Sequence, residues 1–523
     1  MDATMTDGPH IVDESEFRRA VSSRAGSLLE VARRLGASDL GEGGSTLAFF
    51  TRPVLSVIHS QASQLEELLD AYGALRNDRW RPLRSIVAAL KLFARVHYSL
   101  VHLSHASRGY RLLSEEADLA AGLLQARRFT AGVLQAASRR VVEIARPLGL
   151  TPHPVEIEDE YLPAGRLPQD CALRQVEDVA ETVARLATAF LNLAGEATPL
   201  SSRAGSGGGE GSAAAFPAES ELRRLTEDFH NLQALYDTHV ANTDAERDDP
   251  DLLSLRGHAS AVYHLLEMAT DLAHYRERHV LHAASANART RLFAHAPDCI
   301  APEHLDAALR DCLLALAAQY VSVGRTLAQQ LLRRYAEQGM ITVPVPRYRG
   351  FHVRPSTLVA RVVRHYGSAV SMTLEDETYD AASPLELFRA NELINAKKRR
   401  WLAQEVGRLV NGPDERLGDD VVRAVRSVLA RLAEESKVVF YEQPLPPIES
   451  QLDGGQPVLS LVVDAVARLQ ALGKMDIVTT VTATFRGDRR VLRDLELLAA
   501  NGYGEDAYGN NIALPVELSY LRR

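Results

Sequence analysis

The chain has few of the residues that mark several protein classes. Its three cysteines, Cys171, Cys299 and Cys312, stand at spacings that make neither a metal-ligand motif nor a disulfide framework. A disulfide-stapled secreted module is therefore set aside, and a reducing cytoplasm is the expected compartment. The longest apolar stretches fall short of the roughly 18 residues a membrane span needs, so no membrane insertion is expected. Met1 to Phe17 lacks the basic start and apolar core of a signal peptide. An excess of basic charge is missing as well: the formal net charge is −9, which argues against a nucleic-acid partner. Gly205-Ser206-Gly207-Gly208-Gly209 has no lysine and no closing Ser/Thr, so it is not a phosphate-binding loop.

What is present reads as a soluble multidomain protein. With 523 residues and 46% hydrophobic content, the chain can bury the cores of two to four domains. From about Glu14 to Glu337 the apolar spacing is helical almost throughout. Helices are expected over Val54–Leu75, after Pro82, and near Glu115–Arg146, Ala172–Leu193, Glu219–Thr238, Leu252–His282 and Pro302–Glu337. Residues 201–217 form a Ser/Gly/Ala linker that divides this region into a first part, 1–200, and a second, 218–339. The two parts share features: Leu65-Glu66-Glu67-Leu68-Leu69-Asp70 parallels Leu232-Gln233-Ala234-Leu235-Tyr236-Asp237, and Leu83-Arg84 parallels Leu255-Arg256. His264, Glu267, Asp271 and His274 lie along one helical stripe opposite Val262, Leu266, Ala269 and Leu272. That placement predicts a solvated face, as it does for His97, His102 and His105, and no metal site is assigned.

The chemistry concentrates at Gly350-Phe351-His352-Val353-Arg354-Pro355-Ser356-Thr357. Pro355 suits the first turn of a helix, where its missing N–H costs nothing. A helix start offers unpaired N–H groups and partial positive charge to an anion. Arg354 adds a planar donor fork suited to phosphate. A histidine placed there is a nucleophile whose phosphorylated form the surroundings would stabilise. Before the segment, Ile341, Val343 and Val345 alternate as a strand does, with Pro344 pointing to an edge. After it come an apolar helical face (Leu358, Val359, Val362, Val363, Tyr366), the stop Gly367, and the alternating Val370, Met372 and Leu374. Glu377–Ala381 reads as a short third strand. Ser383-Pro384-Leu385-Glu386 reads as a capping box opening the next helix.

This segment and its flanks resemble HPr, the histidine-containing phosphocarrier of the bacterial phosphotransferase system. The resemblance implies an α+β chain: an all-α N-terminal region followed by an HPr-like open-faced β-sandwich. The sandwich would comprise residues 340–396 and 475–523, split by a helical insertion over 397–474. In the second piece, Ile477–Phe485 is the expected fourth strand, Arg486-Gly487-Asp488 a turn, and Val491 to Ala499 a closing helix. Lys437–Tyr441 is an alternative fourth strand, and Ile512–Leu521 would be an extra one. The resemblance further implies that Nδ1 of His352 accepts phosphate from an enzyme I-type donor and yields it to a protein acceptor. Arg354, Pro355 and Ser356 would complete the site, and neither cofactor nor metal is needed. Ser383 falls where the family places a regulatory serine, although helix capping alone accounts for a serine there. Arg347, Arg349 and Arg354 suggest an acidic partner surface. The alternative function is a helical scaffold or regulator that uses the module for docking or sensing.

Overall fold

The structure is a computed structural model. It describes residues 11–522 except 38–45, 114–117, 159, 161, 162, 164–166, 169, 199, 201–215, 282–299, 410–420 and 442–456. Most of the linker and Cys299 therefore lie outside the described residues. The chain is broadly α+β, mostly helical with a small antiparallel sheet towards its C-terminus. It divides into one unit of Met1–Thr182 with Ala189–Ala328 and another of Val183–Thr188 with Gln329–Arg523.

In chain order the long helices before the sheet are α1 (Glu14–Ala37), α2 (Arg52–Ala71), α3 (Arg81–Ala106), α4 (Leu119–Ala145), α5 (Val179–Glu196), α6 (Glu219–His239), α7 (Pro250–Tyr275) and α8 (Ala315–Tyr335). Their starts are chemically marked. Asp118 accepts the Ala121 N–H at 3.0 Å and Asp178 accepts that of Glu181 at 2.8 Å. The second cap explains why α5 begins at Val179, not near Ala172 as the apolar spacing predicts. The stretch Arg81–Gly109 is long and apolar enough to cross a bilayer, yet 67% of its most apolar window is buried inside the protein.

Two helical hairpins repeat one ion pair. In α2–α3, Arg84 grips Asp70 with Nε and Nη2, both at 2.7 Å; in α6–α7, Arg256 grips Asp237 at 3.0 and 3.2 Å. These are the positions at which the two sequences run parallel. The expectation of a solvated stripe on α7 is corrected. Arg95 of α3 lies 3.1 Å from Asp271 and 3.7 Å from Glu267, and the rings of His102 and His264 sit 5.2 Å apart. The side chains of His264 and Asp271 are each only 14% exposed, because a second helix covers what one helix's pattern leaves open. His97 is also corrected: it is fully buried, and its Nδ1 meets Thr130 Oγ1 at 2.7 Å.

The second unit is built on a four-stranded antiparallel sheet in the order β1-β6-β2-β3. Its strands are β1 (Gln338–Pro344), β2 (Val370–Leu374), β3 (Glu377–Asp380) and β6 (Thr482–Asp488), β6 pairing Phe485 with Ile341 on one side and Met372 on the other. Alternation puts Val343, Val370, Met372, Leu374, Ala483 and Phe485 into one core. Against them pack α9 (Val353–Tyr366) through Val359, Val362 and Val363, and the final helix through Val491, Leu495 and Leu498. Gly367 closes α9 at φ 65, a left-handed turn that glycine adopts without strain. The short helix α10 (Pro384–Arg389) follows β3.

Between α10 and β6 lies a lobe with its own core. Helices α11 (Asn391–Leu409), α12 (Val421–Glu434) and α13 (Val458–Ala471) bury Leu402, Val406, Leu429, Val462 and Val466 beside a two-stranded sheet. That sheet pairs β4 (Val438–Phe440) with β5 (Met475–Ile477). The run expected as one strand over Ile477–Phe485 is thus divided. Its first residue pairs in the lobe, and pairing in the larger sheet resumes at Thr482. Lys437–Tyr441 belongs to the lobe's sheet, and Arg486–Asp488 continues β6 instead of turning. The last helix, α14 (Arg489–Ala500), starts under the Asp488 cap, whose carboxylate accepts the Arg490 N–H at 2.9 Å. Ile512–Leu521 is not a strand: a 3-10 helix spans Val516–Arg522 and buries Leu518 and Leu521.

Candidate functional site

His352 sits at the N-cap of α9, with extended backbone (φ −75, ψ −174) and its carbonyl accepting the Ser356 N–H at 3.1 Å. The turn delivering it is tightly specified. Gly350 has φ +61, and a Cβ there would stand 2.4 Å from Asn391 Oδ1. That same oxygen accepts the Phe351 N–H at 2.8 Å, while the Phe351 ring is fully buried against Tyr503. Phe351 anchors one side of the turn, and the next residue faces outward.

The expected site residues divide by role. Ser356 is buried and its hydroxyl donates to the Phe351 carbonyl at 2.8 Å; the Thr357 hydroxyl donates to Val353 at 2.6 Å. Both hydroxyl protons are committed to backbone, so the backbone donors that the first helical turn leaves for an anion are the N–H groups of Val353 and Arg354. Pro355 is buried in that turn. Arg354 is half-buried, beside Gly504, and meets no carboxylate among the described residues. Ser383 lies at the head of α10, where its Oγ accepts the Glu386 N–H at 3.4 Å. The Glu386 carboxylate reaches back to the N–H of Asp380 at 2.7 Å, three residues beyond the capping-box partner.

Sequence reasoning missed the residue in closest contact with the imidazole. The Glu505 carboxylate, 2% exposed, holds His352 Nε2 at 2.8 and 3.0 Å, and the histidine side chain keeps 24% of its surface. Glu505 follows a turn in which Gly502, Tyr503 and Gly504 all have positive φ. The Tyr503 hydroxyl ties this turn to β1 by donating to Pro344 O at 2.8 Å. The only sequence signal was the Gly-Tyr-Gly after the end of α14.

Aromatic and basic groups frame the other side. Tyr348 stands edge-on to His352 with centroids 5.4 Å apart, and to Tyr441 of the lobe at 4.9 Å. Burial pushes the Tyr441 hydroxyl well above the ordinary phenol range, so it stays protonated. Arg349, in a left-handed conformation (φ 52), donates to Gly473 O of the lobe at 2.6 Å. Among the described residues no three His, Cys, Asp or Glu side chains converge as a metal site. Comparison with protein-family models, curated proteins and solved structures gives no match.

Proposed function

We propose that this protein is an HPr-like phosphocarrier whose His352 accepts a phosphoryl group from an enzyme I-type protein donor and passes it to a protein acceptor. The observation that carries the reading is the position of His352. A partly exposed imidazole heads a helix whose Val353 and Arg354 N–H groups precede the first intrahelical bond, and Arg354 meets no carboxylate among the described residues. An imidazole nitrogen attacks phosphorus, and helix N–H groups with Arg354 balance the phosphoryl charge during transfer. The element order β1-α9-β2-β3-α10, then β6-α14, supports the HPr-like open-faced sandwich that the sequence resemblance implies. A phosphate on Ser383 would stand beside the carboxylates of Asp380 and Glu386, so a regulatory role there works against like charge.

The test is incubation with phosphoenolpyruvate and enzyme I, read by intact mass and acid lability. One acid-labile phosphate, lost in His352→Ala, is the expected result; an adduct that persists in the variant overturns the assignment. A second reading, a regulator that holds phosphate without passing it on, draws support from the lobe's grip on the His352 loop through Arg349 and Gly473. Slow release of phosphate to every acceptor protein would favour it.

A further inference from the structure

We infer that Glu505 is a positioning residue that fixes which ring nitrogen of His352 does the chemistry; the inference rests on the phosphocarrier reading. A neutral imidazole carries one proton and one lone pair, and its surroundings decide which nitrogen has which. A carboxylate only accepts, so the Glu505 oxygens 2.8 and 3.0 Å from Nε2 require the proton there. The lone pair then belongs to Nδ1. The charge-assisted hydrogen bond favours this tautomer on the order of ten- to a hundredfold. Because Glu505 is 2% exposed and its turn is tied to β1 through Tyr503, the carboxylate is held in place against the ring.

The same carboxylate has a second consequence, for charge. The Nδ1 lone pair forms a bond to phosphorus as the bond from phosphorus to a donor nitrogen breaks, and that pair of electrons leaves with the donor. Nε2 keeps its proton, so the ring acquires positive charge, and Glu505 is the negative group facing it. Onward transfer reverses the accounting: the P–N bond breaks, its pair returns to Nδ1, and Nε2–H remains in place. A ring held protonated is the better leaving group, so Glu505 shortens the lifetime of the phosphoramidate as well as directing its formation.

Two measurements separate this inference from the reading beneath it. Long-range 1H–15N NMR of the unphosphorylated protein, with His352 assigned by its loss in His352→Ala, reports the tautomer without any donor. Wild type should show Nε2–H, and Glu505→Gln should retain it because the amide oxygen still accepts. Glu505→Ala should show both tautomers. Potassium phosphoramidate then serves as a small donor, with the isomer at His352 read by 31P NMR. Wild type should give the Nδ1 adduct and Glu505→Ala a mixture, while in Glu505→Gln the Nδ1 adduct should hydrolyse about tenfold more slowly. An unchanged tautomer and unchanged isomer ratio in Glu505→Ala overturns the positioning role and leaves the carrier reading standing. A shifted tautomer in a protein that takes no phosphate at His352 supports the positioning role and sinks the carrier reading.

Discussion

Asp476→Ala should unfold the inserted lobe before the rest of its unit, and the reason is one buried charge. Lys398 Nζ lies 2.7 Å from Asp476 Oδ2, with the two side chains 3% and 6% exposed. The other carboxylate oxygen accepts Gln470 Nε2 at 2.9 Å and the Ile477 N–H at 2.7 Å. At an effective dielectric of ~20 the pair's attraction is about 6 kcal/mol, of the same order as the desolvation of the two ions, so the intact pair adds little net stability. Removing one partner is a different matter. Lys398 is left charged in an apolar core, at a cost of about 3–5 kcal/mol. The double variant Lys398→Met/Asp476→Leu removes both charges. It should lose only about 1–2 kcal/mol, mainly from the unmet Ile477 N–H. Urea unfolding gives the totals, and hydrogen exchange locates them. Protection should fall over α11, α13, β4 and β5 in the single variant and largely return in the double. Equal losses in the two variants would refute the reasoning, because the cost would then lie in packing and not in a stranded charge.

The remaining predictions concern the site loop and the helical unit. Gly350→Ala meets a positive φ and Asn391 Oδ1 together, so it should cost about 2–4 kcal/mol and slow phosphoryl uptake at His352. Asn391→Ala, which removes only the Phe351 acceptor, should cost less by denaturant titration. Burial, helped by Arg127, lowers the His97 pKa to about 3. Since the folded value lies below the unfolded one, the unfolded chain protonates first. This stabilisation is whole above about pH 6.5 and drains by about 1.4 kcal/mol per pH unit as pH falls towards 3. His97→Phe keeps a ring against Phe50 and should remove that slope; identical pH profiles for the two proteins would show that His97 is accessible to protons in the folded state.

The elements around His352 were legible because each announces itself locally. Val370, Met372 and Leu374 alternate, Gly367 ends a helix, and Ser383-Pro384 begins one. What was not legible depends on partners. Ile477–Phe485 is uniformly strand-like, and nothing in its composition records that Ile477 pairs with Val438 while Phe485 pairs with Ile341. Leu518 and Leu521 are three residues apart, a helical spacing obscured by the alternation around Pro515. Glu505 is one carboxylate in a glycine-rich turn far along the chain from His352, and only the closing of the sheet brings it to the imidazole. The polar stripe on α7 failed for a related reason: one helix's pattern sorts its faces but does not name the neighbour, and Arg95 comes from another hairpin.

That neighbour gives the sequence parallel its physical sense. The register that carries Arg84 of α3 onto Arg256 of α7 also carries Arg95 onto Glu267. Those two residues face each other across the packed helices, with Nη2 of Arg95 3.7 Å from Oε1 of Glu267. In an assembly of two identical hairpins that position would confront a charge with itself, arginine with arginine or glutamate with glutamate, a repulsion that partial burial makes worse. Joining the hairpins in one chain frees the two positions to differ. The Arg84–Asp70 and Arg256–Asp237 pairs lie within their own hairpins and feel no such conflict, and they are of the same kind in both. Like pairs where contacts are internal to each hairpin, and opposite charge where the hairpins meet, make the arrangement that lets two similar hairpins pack against each other in one chain.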